Sequence, residues 1–182
     1  SMARSDLVLE SDRSFDIRLA MFLQSCNVFG PGRMRVQGIA TLAGSFQTPV
    51  ELAAGANVTL TGPIFSQPLL IQSGATATVN HLLDTVLNAA ATNRGTLRLG
   101  SRNDFGTLMG TGSLMNEGIV DVFAVDPLTS RSEATFNLPV NVAPTGRLLV
   151  ETNAQLVLSC TARSLDLLGA LEVQAGGRLR VD

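Results

Sequence analysis

The stretch Thr92–Val122 holds two copies of one pattern, NRGTLRL at residues 93–99 and NEGIVDV at residues 116–122, 23 residues further on. Both copies read Asn-x-Gly-x-aliphatic-x-aliphatic. Leu97 and Leu99 alternate with Arg98, which is typical of a β-strand with one side facing a core and the other facing solvent. We therefore predict a turn followed by a short strand in each copy. The glycine allows a positive φ or a close backbone approach, and we expect the asparagine to tolerate the left-handed conformation and bond its own turn.

The Gly-x-aliphatic-x-aliphatic unit recurs along the chain, and its spacing favours a repeat architecture. Related copies begin at Gly32 and Gly177. A unit of this length without a leucine-rich consensus, and with period 2 rather than 3.6, fits one coil of a solenoid. We predict an all-β right-handed parallel β-helix of about six or seven irregular coils; a β-sandwich or jelly roll with coincidental glycines is the alternative. The leading glycines are Gly55, Gly74, Gly95, Gly118, Gly146 and Gly169, with gaps of 19, 21, 23, 28 and 23 residues.

Length and composition bound the possible functions. The 182 residues suit a single domain, and the net charge of -2 provides no basic field for nucleic acid. No stretch is long and apolar enough to span a bilayer. Trp and Tyr are absent, which suits the narrow interior of a solenoid better than the core of a sandwich.

We divide the chain into two parts. Residues 1–31 form either an N-terminal cap, with a short helix over Ile17–Gln24, or an incomplete first coil made of strands. Residues 32–182 form the coils. Ser1-Met2 resembles a protease remnant before an introduced start, and the last strand lacks the polar cap that solenoids need. We therefore expect a piece excised from a longer protein.

The two cysteines test the fold prediction. Cys26 and Cys160 would lie five or six coils apart, which is about 25–30 Å at ~4.8 Å per coil. A disulfide requires Cα atoms within about 7 Å. The prediction is therefore two free thiols, whereas a bridge between them would contradict the solenoid.

Charged side chains cluster in coil register and are the candidate ligand-binding residues. Asp121 should lie one rung from Arg98, because each is the middle residue of a matched strand. One interpretation is a cleft for a polyanion; the other, which we favour, is a cross-strand ion pair contributing a few tenths of a kcal/mol. The candidates are Arg98, Arg102, Asp104, Asp121 and Asp126.

Other chemistry is weakly indicated. His81 is the one histidine, there is no Gly-x-Ser-x-Gly elbow, and we predict no catalytic residue, metal or cofactor. The segment 126–133 is the best candidate for a protruding loop. Asn57 begins a glycosylation sequon.

Threonine pairs suggest a second comparison. Thr59/Thr61 and Thr76/Thr78 match the Thr-x-Thr pattern of ice-ordering solenoids in two adjacent coils. Charged residues replace them further along. The pattern therefore departs from that of ice-binding proteins.

The Asn-x-Gly and Gly-x-Leu-x-Val rungs of residues 32–182 resemble the right-handed parallel β-helix class, most closely the stalks of secreted adhesins. The resemblance implies a fold and an extracellular or cell-surface habit, and carries no functional residues. We expect a non-enzymatic interaction module whose partner is a glycan or another protein. The alternatives are a carbohydrate-active β-helix enzyme, or part of one, and a segment of a phage or viral spike.

Overall fold

The computed structural model describes residues 5–11, 13–79, 83–100, 105–124, 132–159 and 164–182, and these contain strands and no helix. None of them forms a helix that could cross a membrane. The strands in chain order are β1 (Ser5–Val8), β2 (Ser14–Ile17), β3 (Met21–Phe29), β4 (Arg33–Val36), β5 (Ile39–Gln47), β6 (Val50–Leu52), β7 (Asn57–Leu60), β8 (Ile64–Phe65), β9 (Leu69–Ile71), β10 (Thr76–Val79), β11 (Thr85–Leu87), β12 (Ala91–Asn93), β13 (Thr96–Leu99), β14 (Phe105–Met109), β15 (Leu114–Asn116), β16 (Ile119–Val122), β17 (Ser132–Asn137), β18 (Val140–Val142), β19 (Arg147–Val150), β20 (Ala154–Leu158), β21 (Leu165–Leu167), β22 (Ala170–Val173) and β23 (Arg178–Val181).

The strands stack into three faces that the chain visits in turn. The first face contains the first halves of β3 and β5, followed by β7, β10, β13, β16, β19 and β22. The second face contains β1, the second halves of β3 and β5, and then β8, β11, β14, β17, β20 and β23. The third face contains β2, β4, β6, β9, β12, β15, β18 and β21.

This arrangement is a parallel β-solenoid of about 7 turns, which confirms the predicted fold class and is consistent with a right-handed parallel β-helix. Neighbouring described strands on each face pair in parallel, as in β7 with β10 and β10 with β13. A sandwich is built mainly from antiparallel pairs. The segment 17–24, for which a helix and strands were both considered, contains the end of β2 and the start of β3.

The interior is a stack of mostly apolar side chains contributed by alternate residues of the strands, except that the strands of the last coil, β21 to β23, have no fully buried side chain. On the first face, Val58 and Leu60 are at most 1% exposed while Thr59 between them is half-buried. Phe46 and Phe65 stack in the same interior with ring centroids 5.2 Å apart. Because each coil buries its apolar residues against the coils on both sides, the hydrophobic effect holds the stack together.

The leading glycines of the first face act in two different ways. At Gly118 a Cβ atom would overlap the carbonyl oxygen of Gly95, so glycine is required by close backbone approach. Gly55 instead has a φ of 83° with open space where a Cβ would be, so its conformation is what requires glycine. The Gly32 and Gly177 copies lead into β4 and β23, which lie on the third and second faces. The Gly-x-aliphatic-x-aliphatic unit therefore leads into strands on all three faces.

The expectation that Asn93 and Asn116 bond their own turns is wrong. Both are fully buried at the ends of β12 and β15, and neither has a positive φ. Asn93 Nδ2 donates to Asn116 Oδ1 at 2.8 Å and to the Ile119 carbonyl at 2.8 Å. Asn116 Nδ2 donates to the Arg147 carbonyl at 3.0 Å in the following coil. The two side chains point inward and connect coils, because the alternation of their strands places them on the core side.

Candidate functional site

The outer surface of the first face presents two columns of side chains that run along the solenoid. Successive members are paired in register, at the roughly 4.8 Å spacing of parallel strands. The first column is Phe22, Thr41, Thr59, Thr78, Arg98, Asp121, Leu149 and Glu172. The second column is Ile39, Asn57, Thr76, Thr96, Ile119, Arg147 and Ala170.

Threonines occupy the middle rungs of both columns, and we call them the threonine patch. Thr59 pairs with Thr78, but Thr76 pairs with Asn57 rather than with Thr61, which follows the end of β7. The predicted Thr59/Thr61 pair is therefore not part of the array. Sequence reasoning missed two members because their neighbours in sequence are not threonines. The patch consists of Thr41, Thr59, Thr76, Thr78 and Thr96, all half-buried between inward-facing neighbours.

The charged rungs confirm that Asp121 lies one rung from Arg98. Arg98 Nε is 2.9 Å from Asp121 Oδ2, and the guanidinium carbon lies 4.0 Å from the centroid of the Phe123 ring. Asp121 is 8% exposed. The guanidinium is thus held by a carboxylate and by a cation–π contact, which together fix its position at the edge of the face.

Glu151, which the sequence did not single out, joins this pair from the residue after β19. Burial is the first cause of its raised pKa, followed by repulsion from Asp121 and a side-chain hydrogen bond to Asp121; Arg98 opposes the shift. Asp121 Oδ1 is buried and has no N–H donor. The contact between the two carboxyl groups becomes a hydrogen bond only when one of them carries a proton, which is why protonation of Glu151 is favoured.

This arrangement differs from that of a glycoside hydrolase. Retaining enzymes hold their two carboxyl groups about 5–5.5 Å apart, and inverting enzymes hold them further apart to admit water. Asp121 raises the pKa of Glu151 partly through a side-chain hydrogen bond, and this interaction requires the two carboxyl groups to lie closer together than either class of enzyme holds them. Arg98, one of the two arginines of the predicted cleft, is paired with Asp121.

Several predicted features lie outside the described residues. These are Arg102, Asp104, Asp126, His81, Cys160 and most of the segment 126–133.

Cys26 is described and is a free, buried cysteine, as predicted for it. Burial is the first cause of the raised pKa of its thiol, and Asp6 is the second. Within the described ranges, no group of three or more His, Cys, Asp or Glu side chains is placed to hold a metal ion.

No known protein family and no curated protein matches the chain. One solved structure with some likeness is the crystal structure of a TibC-catalyzed hyper-glycosylated TibA55-350 fragment. It is 10% identical, the alignment covers 98% of this chain and 96% of that chain, and the TM-score is 0.20. A likeness at this level carries no argument about function.

Proposed function

We propose that the chain is a non-enzymatic interaction module of a secreted or cell-surface protein, and that its first face binds an extended glycan. The observation that carries the proposal is the threonine patch. Its hydroxyl groups repeat in register on a regular sheet surface. A polysaccharide likewise repeats its hydroxyl groups along an extended chain.

The patch is suited to binding because its hydroxyl groups are already ordered. Thr59 and Thr78 are half-buried, and each is flanked by buried residues of its own strand. The β-branched side chain of threonine has few rotamers, so little conformational entropy is lost when a ligand accepts or donates a hydrogen bond. The flat sheet in turn provides a surface against which an extended chain can lie without bending.

A carbohydrate-active enzyme is the alternative function. The described residues that favour it are the carboxyl groups of Asp121 and Glu151, and their direct contact argues against the two-carboxylate mechanisms. We therefore retain the interaction module as the proposal. Incubation of a bound glycan with the protein, followed by chromatography of the products, distinguishes the two, since a module leaves the glycan intact.

The proposal is tested by screening the full chain on an array of neutral and acidic glycans, then measuring affinity for the best ligand by calorimetry. The variant T41V/T59V/T78V keeps the β-branched shape and removes three hydroxyl groups from one column. We expect its affinity to fall about tenfold or more, because each hydrogen bond contributes about 0.5–1.5 kcal/mol.

The matched control is T92V/T107V/T135V, which removes three half-buried, outward hydroxyl groups from the third and second faces. We expect this control to bind like the unaltered chain. Equal losses in both variants, or no binding by the unaltered chain to any glycan, would contradict the proposal.

A further inference from the structure

The start of the first face is uncharged over four successive rungs. In the first column the charge begins at Arg98, and in the second column it begins at Arg147. Arg98 is paired with Asp121, and Arg147 is paired with Glu172. The uncharged rungs are Phe22, Thr41, Thr59 and Thr78 in the first column and Ile39, Asn57, Thr76 and Thr96 in the second.

An exposed apolar platform lies at the end of these rungs. Phe22 is 65% exposed and Ile39 is 64% exposed. They line a shallow depression of about 260 Å³ together with Ala20, Met21, Ala40 and Thr41. Phe22 is the one aromatic ring among the exposed large apolar side chains of the described residues. Contiguous exposed apolar patches with a polar rim mark interaction sites and ligand-binding grooves.

We propose that this platform is a subsite for a neutral sugar ring, which stacks one apolar face on Phe22 while its edge hydroxyl groups bond Thr41. The inference rests on the proposed function and specifies its ligand as an uncharged glycan. Phe22 and Thr41 are register partners in neighbouring strands, so ring and hydroxyl are one rung apart. A pyranose ring has an apolar C–H face and a polar rim, which matches this pairing.

The charges nearby favour a neutral ligand over an acidic one. The closest described cations in sequence are both in ion pairs, Arg18 at 3.6 Å from Asp16 and Arg35 at 3.3 Å from Glu51. Among the described residues, the platform and the threonine patch therefore include no cation, and the cations nearest to the platform in sequence are already paired, so a uronate or sulfate finds no free partner there. The platform is also small: two side chains cannot supply the roughly 800 Å² that each partner buries in a stable protein interface.

The experiment measures binding of cellohexaose and of hexagalacturonate to the full chain and to three variants. Phe22→Ala removes the ring, and Phe22→Trp enlarges it. Leu19→Ala is the matched control, because Leu19 is 81% exposed nearby and does not line the depression. We expect the unaltered chain to favour cellohexaose, with affinity lowered about threefold to tenfold by Phe22→Ala, unchanged or raised by Phe22→Trp, and unchanged by Leu19→Ala.

The outcomes separate this inference from the proposed function. Preference for hexagalacturonate, or binding of cellohexaose that Phe22→Ala does not weaken, overturns the neutral-sugar subsite while the glycan-binding face stands. Concentration-dependent association of the chain that Phe22→Ala abolishes also overturns it, in favour of a contact between two copies. Absence of binding to every glycan on the array removes both proposals together.

Discussion

The two halves of the first face share one backbone stack and one kind of interior, yet they present opposite chemistry to solvent. The first half carries the threonine patch, and the second half carries Arg98, Asp121 and Glu151. The inward residues remain apolar throughout. Inward side chains and close-packed glycines hold the coils together in both halves, which leaves the outer columns free to differ. The inward residues that pair in register along this face are Leu42, Leu60, Val79, Leu99, Val122 and Val150, each at most 1% exposed.

The largest expected effect tests whether the two interiors are equivalent. Leu60→Ala lies beneath the threonine patch, and Leu99→Ala lies beneath the charged rungs. Both side chains are at most 1% exposed. We expect each change to lower the free energy of unfolding by about 2–5 kcal/mol, through lost burial and the cavity that remains. Urea denaturation measures this.

The matched control for these two changes is Leu83→Ala, since Leu83 is 59% exposed. Its effect should stay within about 0.5 kcal/mol. If only one of the two buried changes were costly, the halves would not share one kind of interior.

The next effect concerns Asn93 and Asn116, which are the buried asparagines of the described residues. Asn116→Ala removes the acceptor of Asn93 Nδ2 and should cost about 1–3 kcal/mol. The double variant N93I/N116V introduces the aliphatic residues found in the adjoining rungs, Ile71 and Val142. It should cost less than the single change, because no asparagine side chain is left buried without its partner and only the Ile119 and Arg147 carbonyl oxygens lose a side-chain donor. A double variant less stable than Asn116→Ala would show that these hydrogen bonds are needed for the coil register.

A smaller effect depends on pH and belongs to the charged half alone. The pKa of Glu151 is raised above its ordinary 4.5 in the folded chain. Its stabilising contribution is therefore complete below about 4.5 and is lost as the pH rises through the folded-state value. Glu151→Gln removes the charge and provides an amide N–H that can donate to Asp121 at every pH. We expect it to match the unaltered chain in acid and to exceed its stability at pH 8 by about 1 kcal/mol.

Urea denaturation at several pH values measures the difference between the two chains. Glu117→Gln is the control, because Glu117 is a partly exposed carboxylate paired with Arg94 at 2.8 Å. Glu117→Gln should not be more stable than the unaltered chain at pH 8, because it gives up the ion pair with Arg94. If the difference in stability between Glu151→Gln and the unaltered chain were the same in acid and at pH 8, no proton would be shared between Asp121 and Glu151.

The smallest effect is expected at the surface ion pair. The side chains of Arg94 and Glu117 are 50% and 35% exposed. Arg94→Gln should therefore change the free energy of unfolding by less than about 0.5 kcal/mol, since solvent screens the pair. Arg98→Gln should cost more, because it leaves buried Asp121 without its cation and removes the contact with Phe123. Thermal denaturation of both variants compares the two losses of stability. Equal losses would mean that the burial of Asp121 does not strengthen its ion pair with Arg98.

The fold could be predicted from the sequence because its signals are local. Alternation over three or four residues defines a strand, and the glycine spacing defines a coil, so Arg98 and Asp121 could be placed one rung apart before the structure was known. Gly118 shows the underlying physics, since its position excludes any side chain.

The rest of the site depends on distances that the sequence does not contain. Glu151 reaches Asp121 because the coil between β16 and β19 brings the residue after β19 to the same corner as Phe123. Thr41 and Thr96 join the patch only through register with neighbouring strands. The inward direction of Asn93 follows from the exact end of β12, and strand ends are the least predictable feature of a pattern.

Strand β5 has a mechanical consequence. It pairs with β7 on the first face and with β8 on the second, and Gly44, with a φ of 135°, bends it between them without ending it. A shearing load on the first face is therefore passed to the second face along one continuous strand, whereas later coils pass it through a loop. We expect the end of the rod that contains β3 and β5 to be its stiff end, and stretching or torsion to deform the coils from β7 onward first.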